Sequence, residues 1–122
     1  MALLESGEMY LETILVLASR GKAVRAIDIS EYMGFSKPSV SRALGRLREE
    51  GYVTVSETGA ITFTDTGRAV AEKIYARHTL LTELLEKLGV SPDTAREDAC
   101  RIEHDISDET FEALKNHVKL HI

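Results

Sequence analysis

The sequence predicts a mainly α fold with one small β-hairpin, and three observations carry that prediction. Apolar residues recur at helical spacing over most of the 122 residues. Two alternating stretches, Tyr52-Val53-Thr54-Val55 and Ile61-Thr62-Phe63-Thr64, interrupt that spacing around a turn at Glu57-Thr58-Gly59-Ala60. Glycine or proline stands at most of the joints where helices must stop or start.

The first helix is expected from about Gly7 to Ser19, with Leu11, Ile14, Leu15 and Ala18 on one stripe and Arg20-Gly21-Lys22 closing it. A short second helix fits Arg25 to Met33, with Ala26, Ile29 and Met33 inward, and Gly34 turns the chain. Ser36 has the character of an N-cap, and Pro38 falls inside the first turn of a third helix, where a proline is harmless. That helix keeps Val40, Ala43, Leu44 and Leu47 on one stripe and stops at Gly51. Helix, helix, turn, helix, hairpin is the order of a winged helix-turn-helix, here residues 1–64.

Residues 65–122 read as wholly helical. A long helix runs from Thr66 to about Leu88 with Val70, Ile74, Leu81, Leu84, Leu85 and Leu88 apolar, and Gly89 ends it. Ser91-Pro92-Asp93 opens a further helix with cap, proline and first-turn acid. Ser107-Asp108-Glu109 opens another, whose stripe is Phe111, Leu114 and Val118. Two short amphipathic helices cannot bury both faces alone, so packing against a second copy, a homodimer, is expected.

Composition narrows the function. Apolar residues at 43% permit a core, and no run of 18 apolar residues offers a membrane span. The opening MALLESGEM lacks a basic region and a long apolar stretch, so a secretory signal is not expected. A single cysteine, Cys100, excludes an intramolecular disulfide and suits a reducing cytoplasm. The formal net charge is −5, which by itself disfavours nucleic acid, but its distribution reverses that. Between Ser36 and Arg48 stand Lys37, Arg42, Arg46 and Arg48 and no acid. Between Ser91 and Glu112 stand eight acids against Arg96 and Arg101.

On the third helix the apolar stripe faces the domain, leaving Ser39, Arg42 and Arg46 on the far side, with Lys37 and Ser41 near its start. An α-helix fits the major groove of B-DNA, and residues near its N-terminus reach base edges. Short hydroxyls there can donate to phosphate, helped by the helix dipole. Ser36, Lys37, Pro38, Ser39, Ser41, Arg42 and Arg46 are therefore candidate contacts to double-stranded DNA. A basic solvated face, or a winged helix that assembles with protein, is the competing interpretation.

Cys100, Glu103 and His104 stand at i, i+3 and i+4, so one helical face carries a thiol, a carboxylate and an imidazole, each able to ligate a metal once any proton has left. His78 on the long helix, and Met9 with Glu12 three apart on the first, extend the set. Each residue taken alone has a bland explanation: a buried cysteine, a surface Glu-His pair, a core methionine.

At these residues the chain resembles the diphtheria-toxin-repressor and manganese-transport-regulator family of bacterial metal-dependent repressors. The matching stretches are Glu8-Met9-Tyr10-Leu11-Glu12-Thr13-Ile14, Ser36-Lys37-Pro38-Ser39-Val40-Ser41, Thr64-Asp65-Thr66-Gly67-Arg68, Arg77-His78 and Asp98-Ala99-Cys100-Arg101-Ile102-Glu103-His104, in order over nearly the whole chain. The resemblance implies that Met9, Cys100, Glu103 and His104 fall on the ligands that switch iron-responsive members. It places His78 on a histidine used in both branches, and Glu12 on a ligand of the manganese branch. Thr82 and Arg96 stand where iron-type members carry an acid and a second histidine, so an iron-type ancillary site is expected to be incomplete. A two-domain member, without a third SH3-like domain, is expected.

Soft donors favour Fe(II), Co(II), Ni(II) and Zn(II), whereas all-oxygen sites suit Mn(II). Met9 and Cys100 therefore point to ferrous iron, with Zn(II), Co(II) or Ni(II) as substitutes in vitro. Mn(II) is the other candidate, through Glu12, His78, Glu103 and His104. The resemblance implies a metal that takes ligands from both halves and so sets the spacing of two recognition helices in a dimer, which must match about 34 Å of duplex. A winged-helix repressor indifferent to metal, a metalloenzyme built on Cys100, Glu103 and His104, and a protein-assembly module are the alternatives.

Overall fold

The structure, a computed structural model, describes residues 5–121, and the side chains of residues 6–119. Met1–Leu4 of the opening stretch weighed as a signal lie outside the described residues. The elements are α1 (Glu5–Ala18), α2 (Ala26–Met33), α3 (Lys37–Glu49), β1 (Val53–Val55), β2 (Ile61–Phe63), α4 (Asp65–Lys87), α5 (Pro92–Asp105) and α6 (Asp108–His121). Two compact units result, one ending at Glu72 and the other beginning at Lys73, with α4 running from the first into the second. No helix among the described residues is long and apolar enough to cross a membrane.

In the first unit Leu11 and Ile14 of α1, Ile29 of α2, Val40, Leu44 and Leu47 of α3, and Val53 and Ile61 of the hairpin form one core. Each fully buried aliphatic side chain contributes about 1.5–3 kcal/mol relative to exposure. Ala18, expected on the inward stripe, is exposed because α1 ends there; Leu17 and Tyr10 are buried instead. Gly34 takes φ +73° and donates its N–H to the Ser30 carbonyl at 2.9 Å, which stops α2 in the left-handed cap that glycine adopts without strain. Ser36 then caps α3: its hydroxyl oxygen accepts from the Ser39 N–H at 3.3 Å.

The hairpin is antiparallel in the register Val53↔Phe63, Thr54↔Thr62, Val55↔Ile61. Val53 and Ile61 face the core, while the Thr54 and Thr62 hydroxyls pair at 2.7 Å on the outer face. The Arg25 guanidinium donates to the Thr58 carbonyl and so ties the hairpin tip to the start of α2. Where the hairpin meets α4, the Thr64 hydroxyl donates to the Gly51 carbonyl at 2.6 Å and accepts from the Gly67 N–H at 3.0 Å. Gly67 packs so tightly that a Cβ there would lie 1.8 Å from the Tyr52 carbonyl oxygen. No side chain fits at that position.

The second unit buries Ile74 and Leu81 of α4, Ala95 and Ala99 of α5, and Phe111 and Val118 of α6. Leu88, read as the end of the α4 stripe, is 72% exposed, since it lies past the last helical residue. Ser91 holds the backbone conformation of an N-cap but makes no side-chain capping bond, whereas the Ser107 oxygen accepts from the Thr110 N–H at 3.1 Å and caps α6.

Candidate functional site

Helical periodicity puts Ala95, Ala99 and Glu103 of α5 on one inward face, and all three are fully buried. A buried carboxylate is costly unless charge or hydrogen bonds compensate. Two imidazoles lie against Glu103, and His78 supplies it a hydrogen bond. Its Oε2 lies 2.9 Å from Nδ1 of His78, and its Oε1 lies 3.3 Å from Nε2 of His104. His78 Nδ1 and Glu103 Oε2 share a hydrogen bond, which fixes the ring's orientation. The His104 side chain is itself fully buried, and Cys100 is half-buried on the preceding turn.

One ligand atom each from Cys100, Glu103 and His104 lies within 4.8 Å of the other two. A thiol, a carboxylate and an imidazole converging at that spacing fit a divalent transition metal, to which all three bind in deprotonated form. Of the expected ligands the structure thus brings Cys100, Glu103 and His104 together within the second unit and sets His78 against Glu103. Met9 and Glu12 belong to the first unit, three residues apart and half-buried on α1. Thr82 is half-buried one turn beyond His78, and Arg96 is exposed and paired with Asp93 of its own helix.

On α3, Ser36, Lys37, Pro38, Ser41, Arg42 and Arg46 are all exposed and Ser39 is half-buried. The Ser36 hydroxyl donates to the Ser39 hydroxyl at 2.9 Å, and Arg42 Nη2 donates to the same Ser39 oxygen at 3.4 Å. Arg42 is thereby held against the first turn of the helix. Its charge also acts on Tyr10, whose phenol burial pushes upward and Arg42 draws back down. A row of hydroxyls and guanidinium groups along one exposed helix face can donate to phosphates and base edges.

Residues 2–61 match the family model of the iron dependent repressor N-terminal DNA binding domain, and residues 64–120 match that of the iron dependent repressor metal binding and dimerisation domain. The chain belongs to the iron-dependent repressor family. It is 34% identical over 113 residues to the diphtheria toxin repressor of Corynebacterium diphtheriae, covering 92% of this chain and 50% of that protein. Against the transcriptional regulator MntR of Escherichia coli it is 32% identical over 112 residues, covering 92% of this chain and 72% of the relative. The solved structure of the manganese regulator SloR superposes with a TM-score of 0.81 at 28% identity, covering 98% of this chain and 55% of that one. This iron-dependent repressor family member therefore spans only about half the length of two of these three relatives.

Within this member of the family, sequence reasoning names Arg77 only as part of the matching stretch Arg77-His78 and gives it no role, yet the structure buries it beside His78. The signal is its place on the stripe Ile74, Arg77, Leu81, three and four residues apart, where the pattern calls for an apolar side chain. A charge on a buried stripe marks a residue whose contacts have to be found.

Proposed function

We propose that this chain is a metal-activated DNA-binding transcriptional regulator that works as a homodimer in the cytoplasm and represses genes of metal uptake when loaded with Fe(II). The observation that carries this is the convergence of Cys100, Glu103 and His104 within 4.8 Å, in a chain of this family. His78, hydrogen-bonded to Glu103, and Met9 and Glu12 are further ligands that the family resemblance implies. The ion's task is regulatory and not catalytic. The thiol, with the thioether of Met9, tips the preference toward Fe(II) over Mn(II).

Residues 1–64 read the duplex and residues 65–122 bind metal and dimerise. Ser36, Lys37, Pro38, Ser39 and Ser41 seat the start of α3 in the major groove, and Arg42 and Arg46 reach base edges or phosphates. Support comes from the exposure of all of these but the half-buried Ser39, and from the match of residues 2–61 to a DNA binding domain model.

The test is an anaerobic titration of duplex binding with Fe(II) and, separately, Mn(II), on fragments selected by the metal-loaded protein. Binding that rises with Fe(II) at lower concentration than with Mn(II), and that a chelator reverses, is the expected result. Binding that a chelator leaves untouched overturns metal control. A preference for Mn(II) overturns the assignment of the metal alone.

A further inference from the structure

Arg77 is 6% exposed, and a buried guanidinium survives only where several groups compensate it. Its Nη1 donates to the carbonyl oxygens of Glu103 and of Ile106, each at 3.2 Å. Its Nη2 donates to the Asp108 carboxylate, and its carbon centre lies 5.2 Å from the centroid of the Phe111 ring. Lys73 Nζ approaches the same Asp108 oxygen at 3.0 Å. The last carbonyls of a helix have no amide partners within it, and α5 ends at Asp105. Arg77 therefore satisfies the open end of α5 and places a permanent positive charge at the negative pole of that helix.

Glu103 is gripped twice from neighbouring positions of α4. Arg77 holds its backbone carbonyl and His78 its carboxylate. We infer that Arg77 is a positioning residue for the metal centre: by clamping the last turn of α5 against the first turn of α6, it fixes the direction in which Glu103 and His104 present their donor atoms. Asp108 aligns the guanidinium from the far side, and Phe111 supports its face. The inference rests on the metal-binding function proposed for the cluster. A lysine at the same position could not reproduce the clamp, because only the planar fork serves two carbonyls and a carboxylate at once. A residue that merely closes the corner between α5 and α6 would affect folding and leave the ligands of a folded chain where they are.

The experiment titrates Co(II) alone, anaerobically, into the full chain. It follows the cobalt–thiolate absorption that reports Cys100 and the visible bands that report coordination geometry. Arg77→Met and Asp108→Asn are compared with the unaltered protein at a temperature where circular dichroism shows each to be folded. Arg77→Met is expected to weaken Co(II) binding by roughly 10–100-fold, as loss of a supporting residue commonly does, and to alter the visible bands. Asp108→Asn, whose side chain is mostly exposed, is expected to fold normally and to weaken binding by about tenfold, the low end of that range. If Arg77→Met folds it decides the matter, and if it does not, Asp108→Asn decides. A folded deciding variant with unaltered affinity and spectrum overturns the positioning role. Absence of the cobalt–thiolate band in the unaltered protein overturns the metal function of the cluster, and this inference with it.

Discussion

Replacing Gly67 by alanine pits two effects of opposite sign against each other. Alanine is the better helix former by about 1 kcal/mol, so propensity alone makes Gly67→Ala stabilising in α4. The new Cβ, however, would sit 1.8 Å from the Tyr52 carbonyl oxygen and 2.7 Å from its carbon. Non-bonded carbon contacts settle near 3.5 Å or more, so the hairpin and the start of α4 must part by well over 1 Å. That movement pulls on the Thr64 N–H to Tyr52 carbonyl bond of 3.1 Å and on the Thr64 hydroxyl, which bridges Gly51 and Gly67. Three hydrogen bonds at about 1 kcal/mol each, with about 1–3 kcal/mol for overpacking, outweigh the propensity gain and leave a loss of about 3–5 kcal/mol. Urea unfolding followed by far-ultraviolet circular dichroism measures it, and the midpoint should fall by about 2 M. A variant within 1 kcal/mol of the unaltered chain, or more stable than it, would mean that the junction does not hold Gly67 against Tyr52.

Cys100→Ala and His104→Ala are each expected to abolish metal-stimulated duplex binding while leaving a folded dimer by size-exclusion chromatography; a full Fe(II) response from either in an anaerobic gel shift removes it from the ligand set. Arg42→Ala is expected to weaken duplex binding by about 1–3 kcal/mol without changing the metal affinity of the free protein, and unchanged duplex binding would move the reading face elsewhere. Asp108 supplies a pH test. Lys73, through a hydrogen bond and its charge, and then Arg77 hold this carboxyl below its ordinary value of 3.8. Its contribution to stability is therefore complete above 3.8 and is lost as the pH falls through the lower folded value. Denaturant midpoints from pH 5 to pH 3 should fall more steeply for the unaltered chain than for Asp108→Asn, and parallel curves would deny the pairing.

Elements whose determinants are local could be read directly from the chain. Ser36 capping α3, Pro38 in its first turn, Gly34 closing α2 and the paired alternation of the hairpin each depend on residues within a few positions. The common face of Cys100, Glu103 and His104 follows from the pitch of a helix. The ends of stripes were less legible, since Ala18 and Leu88 fit the period but fall where the helix has already stopped facing a neighbour. Nor could the chain distinguish Ser91 from Ser107 as a side-chain cap, because the choice depends on a rotamer. Gly67 and Arg77 are set by tertiary approach: one by the carbonyl of Tyr52, the other by carbonyls 26 and 29 residues away. The pairing of His78 with Glu103 likewise spans 25 residues, and only the family resemblance linked them beforehand.

Metal control of DNA binding requires that the two ligands assist each other equally. A shift from 1:99 to 99:1 in favour of the duplex-binding form needs an ion that prefers that form by about 5.5 kcal/mol. By linkage, the duplex must then raise the protein's affinity for the ion by the same factor that the ion raises affinity for the duplex. Anaerobic measurement of Fe(II) affinity with and without saturating duplex closes that cycle. A tightening of Fe(II) binding that matches the Fe(II)-dependent gain in duplex affinity is the predicted outcome. An Fe(II) affinity indifferent to the duplex would show that the ion held by Cys100, Glu103 and His104 does not govern the recognition helix.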